Sequence, residues 1–144
     1  MAEHVLVPFD GSPLSRAALE RAVTRQPDAR VTVLHVVDPV GVVYEAETAG
    51  VSDAKRWVDR ARADAEDLLG EAEELADELD PDREVGTAVE VGSPARTILD
   101  YVDEHDVDHV VMGSHGRSGV PRLVFGSVAE RVTRQSPVPV TIVR

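Results

Sequence analysis

Gly113, Gly116, Gly126 and Ser127 are spaced for holding phosphate. They form G-x-x-G, then nine residues, then G-S. Glycines let the backbone approach an anion closely. A helix N-terminus adds unpaired N–H groups and the positive end of its dipole. Two glycines at this spacing recur by chance, but four fixed residues over fifteen positions are more specific. They also sit between a strand-like run at 107–112 and a helix-like run that starts near 127. The competing reading is a connector whose glycines serve only to turn the chain. Charge favours the anion site. The chain has net charge −12, yet no Asp or Glu lies between Asp108 and Glu130, and His115, Arg117 and Arg122 fall in that gap. A locally basic loop in an acidic protein suits an anionic ligand. The Ser114, Ser118 and Ser127 hydroxyls could donate to phosphate oxygens, and Ser127 serves equally well as a helix N-cap.

Asp10 follows the first apolar run. A carboxylate there accepts hydrogen bonds from ribose hydroxyls or holds a metal. The Asp10-Gly11 pair is also a good turn, and the two readings weigh about the same. His35 lies inside a β-branched run and reads as a packed strand histidine. His4, His105 and His109 are scattered without metal-ligand spacing. The acidic stretch at 53–82 reads as a solvated helix face, and Trp57 within it as a core or interface anchor. The chain lacks G-x-x-x-x-G-K-[ST], a G-x-G-x-x-G after its first strand, and G-x-S-x-G. These absences exclude a P-loop, disfavour a Rossmann dinucleotide site and remove the serine-hydrolase elbow.

Alternating elements must position these groups. Residues 4–9 form an apolar run. Ser12 then Pro13 reads as N-cap and first helical residue of a helix to about residue 25. Residues 31–37 read as a buried strand and 38–50 as a loop. A helix is predicted over about 51–79, with Trp57, Ala61, Ala65, Leu68, Ala72, Leu75 and Leu79 on one face and Gly70 as a weak point. A strand at 85–91 is followed by Ser93-Pro94 and a helix with Ile98, Leu99 and Val102 facing inward. Strand 108–112, the glycine loop, a helix over 127–135 and a strand at 138–143 complete the chain. Continuous apolar strands joined by helices predict a parallel sheet covered on both faces, with ligands beyond the carboxyl ends of its strands.

At 144 residues and 42% hydrophobic, the chain reads as one domain with a real core. No apolar run is long enough to cross a membrane, the start lacks a signal-like segment, and there is no cysteine; a cytoplasmic protein is expected. With 27 acidic against 15 basic residues, non-specific nucleic-acid binding is disfavoured. Lys55 is the only lysine. An acidic, lysine-poor surface fits a salt-accumulating halophile, because at ~1 M salt the Debye length falls to about 3 Å and net charge is tolerated.

Several segments together resemble the universal stress protein family: Val7-Pro8-Phe9-Asp10-Gly11-Ser12, Val33-Leu34-His35-Val36-Val37-Asp38, Gly92-Ser93-Pro94, Val111-Met112-Gly113-Ser114-His115-Gly116-Arg117 and Gly126-Ser127-Val128. The likeness spans essentially the whole chain, 1–144, and the loop is similar to the ATP-binding form of the family. The resemblance implies one α/β domain of the adenine nucleotide alpha hydrolase-like type, with a five-stranded parallel sheet in the order 3-2-1-4-5 and helices on both faces. It implies ATP or another adenine nucleotide, with Mg or Mn as a companion ion. Pro8, Val36 and Met112 would line the adenine, partly through backbone groups, and Asp10 would meet the ribose. Gly113, Gly116, Gly126 and Ser127 would surround ribose and phosphates, Val128 would add a backbone N–H, and Arg117 is a weaker carry-over. A homodimer through the C-terminal strand is implied, because that apolar edge invites pairing. The expected role is a nucleotide-dependent switch or binding module in the stress response. A slow metal-dependent ATP hydrolase and an interaction protein without nucleotide are the alternatives.

Overall fold

The computed structural model describes residues 2–40, 54–115 and 125–144. Strand and helix alternate among them: β1 (His4–Pro8), α1 (Pro13–Arg25), β2 (Arg30–Val37), α2 (Ala54–Leu79), β3 (Val85–Val91), α3 (Pro94–Glu104), β4 (His109–Gly113), α4 (Ser127–Gln135) and β5 (Val140–Val143). The strands form one parallel sheet in the order β3-β2-β1-β4-β5. The expected strand order is therefore observed.

Alternation of side chains along each strand divides the core in two. Val5, Val7, Val31 and Val33 face α1 and α2, meeting Leu19, Ala22, Leu69, Ala72 and Ala76. Leu6, Leu34, Val110 and Met112 face α3 and α4, meeting Ile98, Val102, Ala129 and Val132. Both faces are covered, which is why the central strands read as unbroken apolar runs. Among the described residues no helix is long and apolar enough to cross a membrane.

Three details differ from the sequence reading. The inward face of α2 centres on Ala65, Leu69, Ala72 and Ala76, with Leu68, Leu75 and Leu79 on its flanks, and the helix runs unbroken through Gly70. Small residues at the centre let α2 lie close on the sheet while the leucines seal the margins. Trp57 is only half-buried, with the Arg60 guanidinium 6.0 Å from its ring centre. The last strand begins at Val140 rather than 138. Pro139 has no N–H for the ladder, although its carbonyl accepts from the Val110 N–H at 3.0 Å.

At the amino ends of the strands, opposite the pocket described below, lies a buried polar junction. His4 Nε2 is 2.8 Å from Thr32 Oγ1, and Nδ1 is 3.0 Å from both Arg30 Nη2 and the His105 carbonyl. The His4 N–H donates to Asp108 Oδ2 at 2.8 Å. Burial lowers the imidazole pKa from 6.5; the His105 carbonyl partly opposes this, and the Arg30 charge adds to it.

Candidate functional site

β1 pairs with β2 on one side and with β4 on the other, where Val5 stands against His109 and Leu6 against Val110. From β1 the chain enters α1 on one face, and from β4 it leads on to α4 on the other. The two connections diverge and leave a crevice between the carboxyl ends of β1 and β4, the usual ligand position in such sheets. A pocket of about 250 Å³ opens there. Its apolar wall includes Leu34, Val36, Ile98, Met112 and Val128, and its polar rim Asp10, Ser12, His35, His115 and Ser127.

The rim beyond β1 is built by a turn. Gly11 has φ 80°, where a side chain would be strained, and Asp10 Oδ1 accepts from the Ser12 N–H at 2.9 Å. Ser12 Oγ then accepts from the Ser15 N–H at 3.3 Å, with Pro13 opening α1. Asp10 thus closes the turn, as one of its two readings has it, and it also lines the pocket.

β2 extends past the end of β1 and leaves part of its edge open. The Leu34 carbonyl accepts from the Phe9 N–H at 2.8 Å, and the Val37 carbonyl, on the other side of β2, accepts from the Gly92 N–H at 2.9 Å. Alternation therefore points the Val36 N–H and C=O to the β1 side, where β1 has already turned away. His35 lies between them in sequence. It was expected to be a packed strand histidine, but it is half-buried, lines the pocket, and its Nδ1 is 2.7 Å from the Phe9 carbonyl. A carbonyl only accepts, so Nδ1 carries the proton.

The two described ends of the glycine motif are joined directly. The Gly126 N–H donates to the Ser114 carbonyl at 2.7 Å, and the Ser114 N–H donates to the Val143 carbonyl at 2.8 Å. The buried Ser114 hydroxyl lies 3.3 Å from His115 Nδ1. Gly126, rather than Ser127, occupies the N-cap of α4, and Ser127 is the first helical residue. The first α4 hydrogen bond runs from the Glu130 N–H to the Gly126 carbonyl at 3.0 Å, so the N–H groups of Ser127, Val128 and Ala129 have no partner within the helix. They lie at the N-terminal end of α4, the end of a helix that favours negative charge.

The glycines differ in what they do. A Cβ at Gly113 would lie 2.7 Å from Leu14 Cβ, so this glycine lets β4 pack against the first turn of α1. Gly126 has φ −65° and ψ 158°, an extended conformation open to any residue, and a Cβ there would meet His115 Cα and Cβ at 3.4 Å. Pro8, Asp10, Val36, Met112, Gly113, Gly126, Ser127 and Val128 all line this one pocket. Gly116 and Arg117, with Ser118 and Arg122, lie outside the described residues. The sequence reading missed Leu34, His35, Pro94 and Ile98 as lining residues. The Ser93-Pro94 helix start was the available signal for Pro94. Among the described residues, no group of three or more His, Asp or Glu side chains could hold a metal ion.

The universal stress protein family model matches residues 1–144. The chain belongs to the universal stress protein family. It is 33% identical to universal stress protein YxiE of Bacillus subtilis, over all of both chains. Universal stress protein UspA from Lactobacillus plantarum superposes with a TM-score of 0.80 at 27% identity, covering 99% of this chain and 97% of that one. Two further universal stress protein structures share the fold at lower identity. One, in complex with cAMP, has a TM-score of 0.70 at 24% identity and covers 99% of this chain and 97% of that one. The other, from Archaeoglobus fulgidus in complex with dAMP, has a TM-score of 0.69 at 21% identity and covers 100% of this chain and 98% of that one. In this universal stress protein the strand order that defines the crevice is β3-β2-β1-β4-β5.

Proposed function

We propose that this protein binds an adenine nucleotide, ATP or a relative of it, in the crevice between β1 and β4, and acts as a nucleotide-dependent switch or binding module in the stress response. The observation that carries the reading is the convergence, in one pocket, of three different recognition surfaces. An apolar slot between Leu34, Val36, Ile98 and Met112 suits a flat base. The Val36 N–H and C=O offer an adjacent donor and acceptor, matching the ring nitrogen and amino group on one edge of adenine. The N–H groups of Ser127, Val128 and Ala129 suit the phosphates. Asp10, between these regions, is suited to a ribose hydroxyl. The cAMP and dAMP bound by two relatives of the same fold are adenine nucleotides, which supports this choice of ligand.

Gly116 and Arg117 belong to the phosphate end of this proposal. A divalent ion would be held chiefly by the nucleotide phosphates, because the described residues supply no three-ligand cage. Calorimetry with AMP, ADP and ATP, each with and without Mg, tests the reading. One nucleotide bound per chain is expected. No heat from any of the three, in protein stripped of co-purified ligand, would refute it.

A further inference from the structure

The end of β2 departs from the ladder that its register sets up. Pro8 stands opposite Leu34, so Phe9 falls opposite His35. In a parallel pair the residue opposite His35 donates to the Leu34 carbonyl and accepts from the Val36 N–H. Phe9 makes the first of these bonds, at 2.8 Å. The second is not formed, and in its place the Phe9 carbonyl accepts from His35 Nδ1 at 2.7 Å. One side chain has displaced one rung of the sheet. The backbone donor it displaces, the Val36 N–H, is on the edge of the pocket.

We infer that His35 is a positioning residue for the ligand: by occupying the Phe9 carbonyl, it keeps the Val36 N–H open for a ring nitrogen of the bound base. This rests on the nucleotide reading for the identity of the ligand, but the opened rung belongs to the protein alone. The imidazole need not touch the base. A side chain without a donor at the Nδ1 position would free the Phe9 carbonyl to accept from Val36, and the strand pair would lengthen by one rung into the space the base needs. Sequence position sets the effect, since only the residue opposite Phe9 has its side chain beside that carbonyl.

Two substitutions separate this role from general packing. The amide nitrogen of asparagine falls near the place of imidazole Nδ1, whereas that of glutamine falls near Nε2. His35→Asn should therefore keep the bond to Phe9, and His35→Gln should lose it. The first readout needs no ligand: amide hydrogen exchange at Val36 relative to Leu34, by NMR. Wild type and His35→Asn should exchange freely at Val36 in the absence of nucleotide and become protected when AMP is added. His35→Gln should be protected at Val36 without any nucleotide. The second readout is affinity: AMP binding should stay within about twofold in His35→Asn and fall about fivefold or more in His35→Gln, the scale of one backbone hydrogen bond. An analogue lacking the adenine N1 acceptor, 1-deaza-AMP, should bind the wild type more weakly than AMP and bind His35→Gln about as well as AMP does. A Val36 amide as protected as Leu34 in the ligand-free wild type would overturn the inference, whatever the nucleotide does. Equal losses in both variants for both nucleotides would also overturn it, leaving His35 as a packing residue. Free exchange at Val36 with no AMP binding in the wild type would instead refute the nucleotide reading, and with it the role assigned to His35.

Discussion

Replacing Gly113 and Gly126 separately by alanine should give opposite results, although the two belong to one motif. At Gly113 the new Cβ would lie 2.7 Å from Leu14 Cβ and 3.2 Å from the Leu14 carbonyl carbon. Carbon atoms prefer about 3.5–4.0 Å, so roughly 1 Å of movement is required. Rotating a side chain cannot supply it, because Cβ and the carbonyl carbon are fixed to the α1 backbone. The first turn of α1 must move away from β4, opening contacts under Phe9 and Val111 in the same core. Overpacking of this kind costs about 1–3 kcal/mol, and the unyielding contact places Gly113→Ala near about 2 kcal/mol. For a chain of this size that is a fall in Tm of about 4–8 °C. At Gly126 the nearest atoms are at 3.4 Å and φ is already −65°. Gly126→Ala should therefore remain within about 0.5 kcal/mol of wild type, aided by the reduced freedom of the unfolded chain. Urea unfolding followed by circular dichroism measures both. Equal stability of Gly113→Ala and wild type would show that the contact with Leu14 relaxes freely, and the packing role given to this glycine would be wrong.

The buried His4 junction makes stability depend on pH. Its folded pKa lies below 6.5, so its contribution is complete above that value and is lost as pH falls through the folded pKa. Unfolding free energy should fall from about pH 7.5 to about pH 5.5, and fall less steeply in His4→Gln; an unchanged slope in the variant would rule out His4 as the source. Salt should stabilise the fold, because 27 acidic against 15 basic residues repel one another in dilute buffer. The Tm should climb as KCl is raised, and identical values at low and at ~1 M salt would remove the halophile argument. The β5 edge, Val140–Val143, is half-buried and, among the described residues, pairs on one side only, with β4, so a homodimer through this edge is expected. Light scattering should give twice the chain mass, and a monomer at micromolar concentration would count against the dimer. Asp10→Ala should weaken nucleotide binding and also remove the acceptor for the Ser12 N–H, a combined loss that calorimetry and thermal melting can measure on one sample.

The strands were legible because both faces of the sheet are buried. Val5, Val7, Val31 and Val33 have no solvent side to force alternation, so their runs stand out. The α1 start was legible from Ser12-Pro13, whose chemistry is local. The strand order was not contained in the pattern and came from the family resemblance. The face of α2 was read slightly off, since a surface rich in alanine gives weak contrast between Leu68 and Leu69. The pocket lining was legible where residue type and position coincide, as at Asp10 and Ser127, while Pro8, Val36 and Met112 came from the family resemblance. It was not legible at His35, because its bond to the Phe9 carbonyl follows from inter-strand register. The place of Gly126 beside His115 was not legible for a related reason: its φ is ordinary, and the two meet across a loop whose ends come together only in three dimensions.

An NMR titration of the isotope-labelled protein with AMP tests the central claim most directly. The account predicts saturable shifts at the amides of Val36, Ser127, Val128 and Ala129, with smaller shifts at Asp10 and Met112 and little change at the His4 junction. Saturable shifts that leave Val36 and the start of α4 unmoved, or no shifts at all, would contradict it.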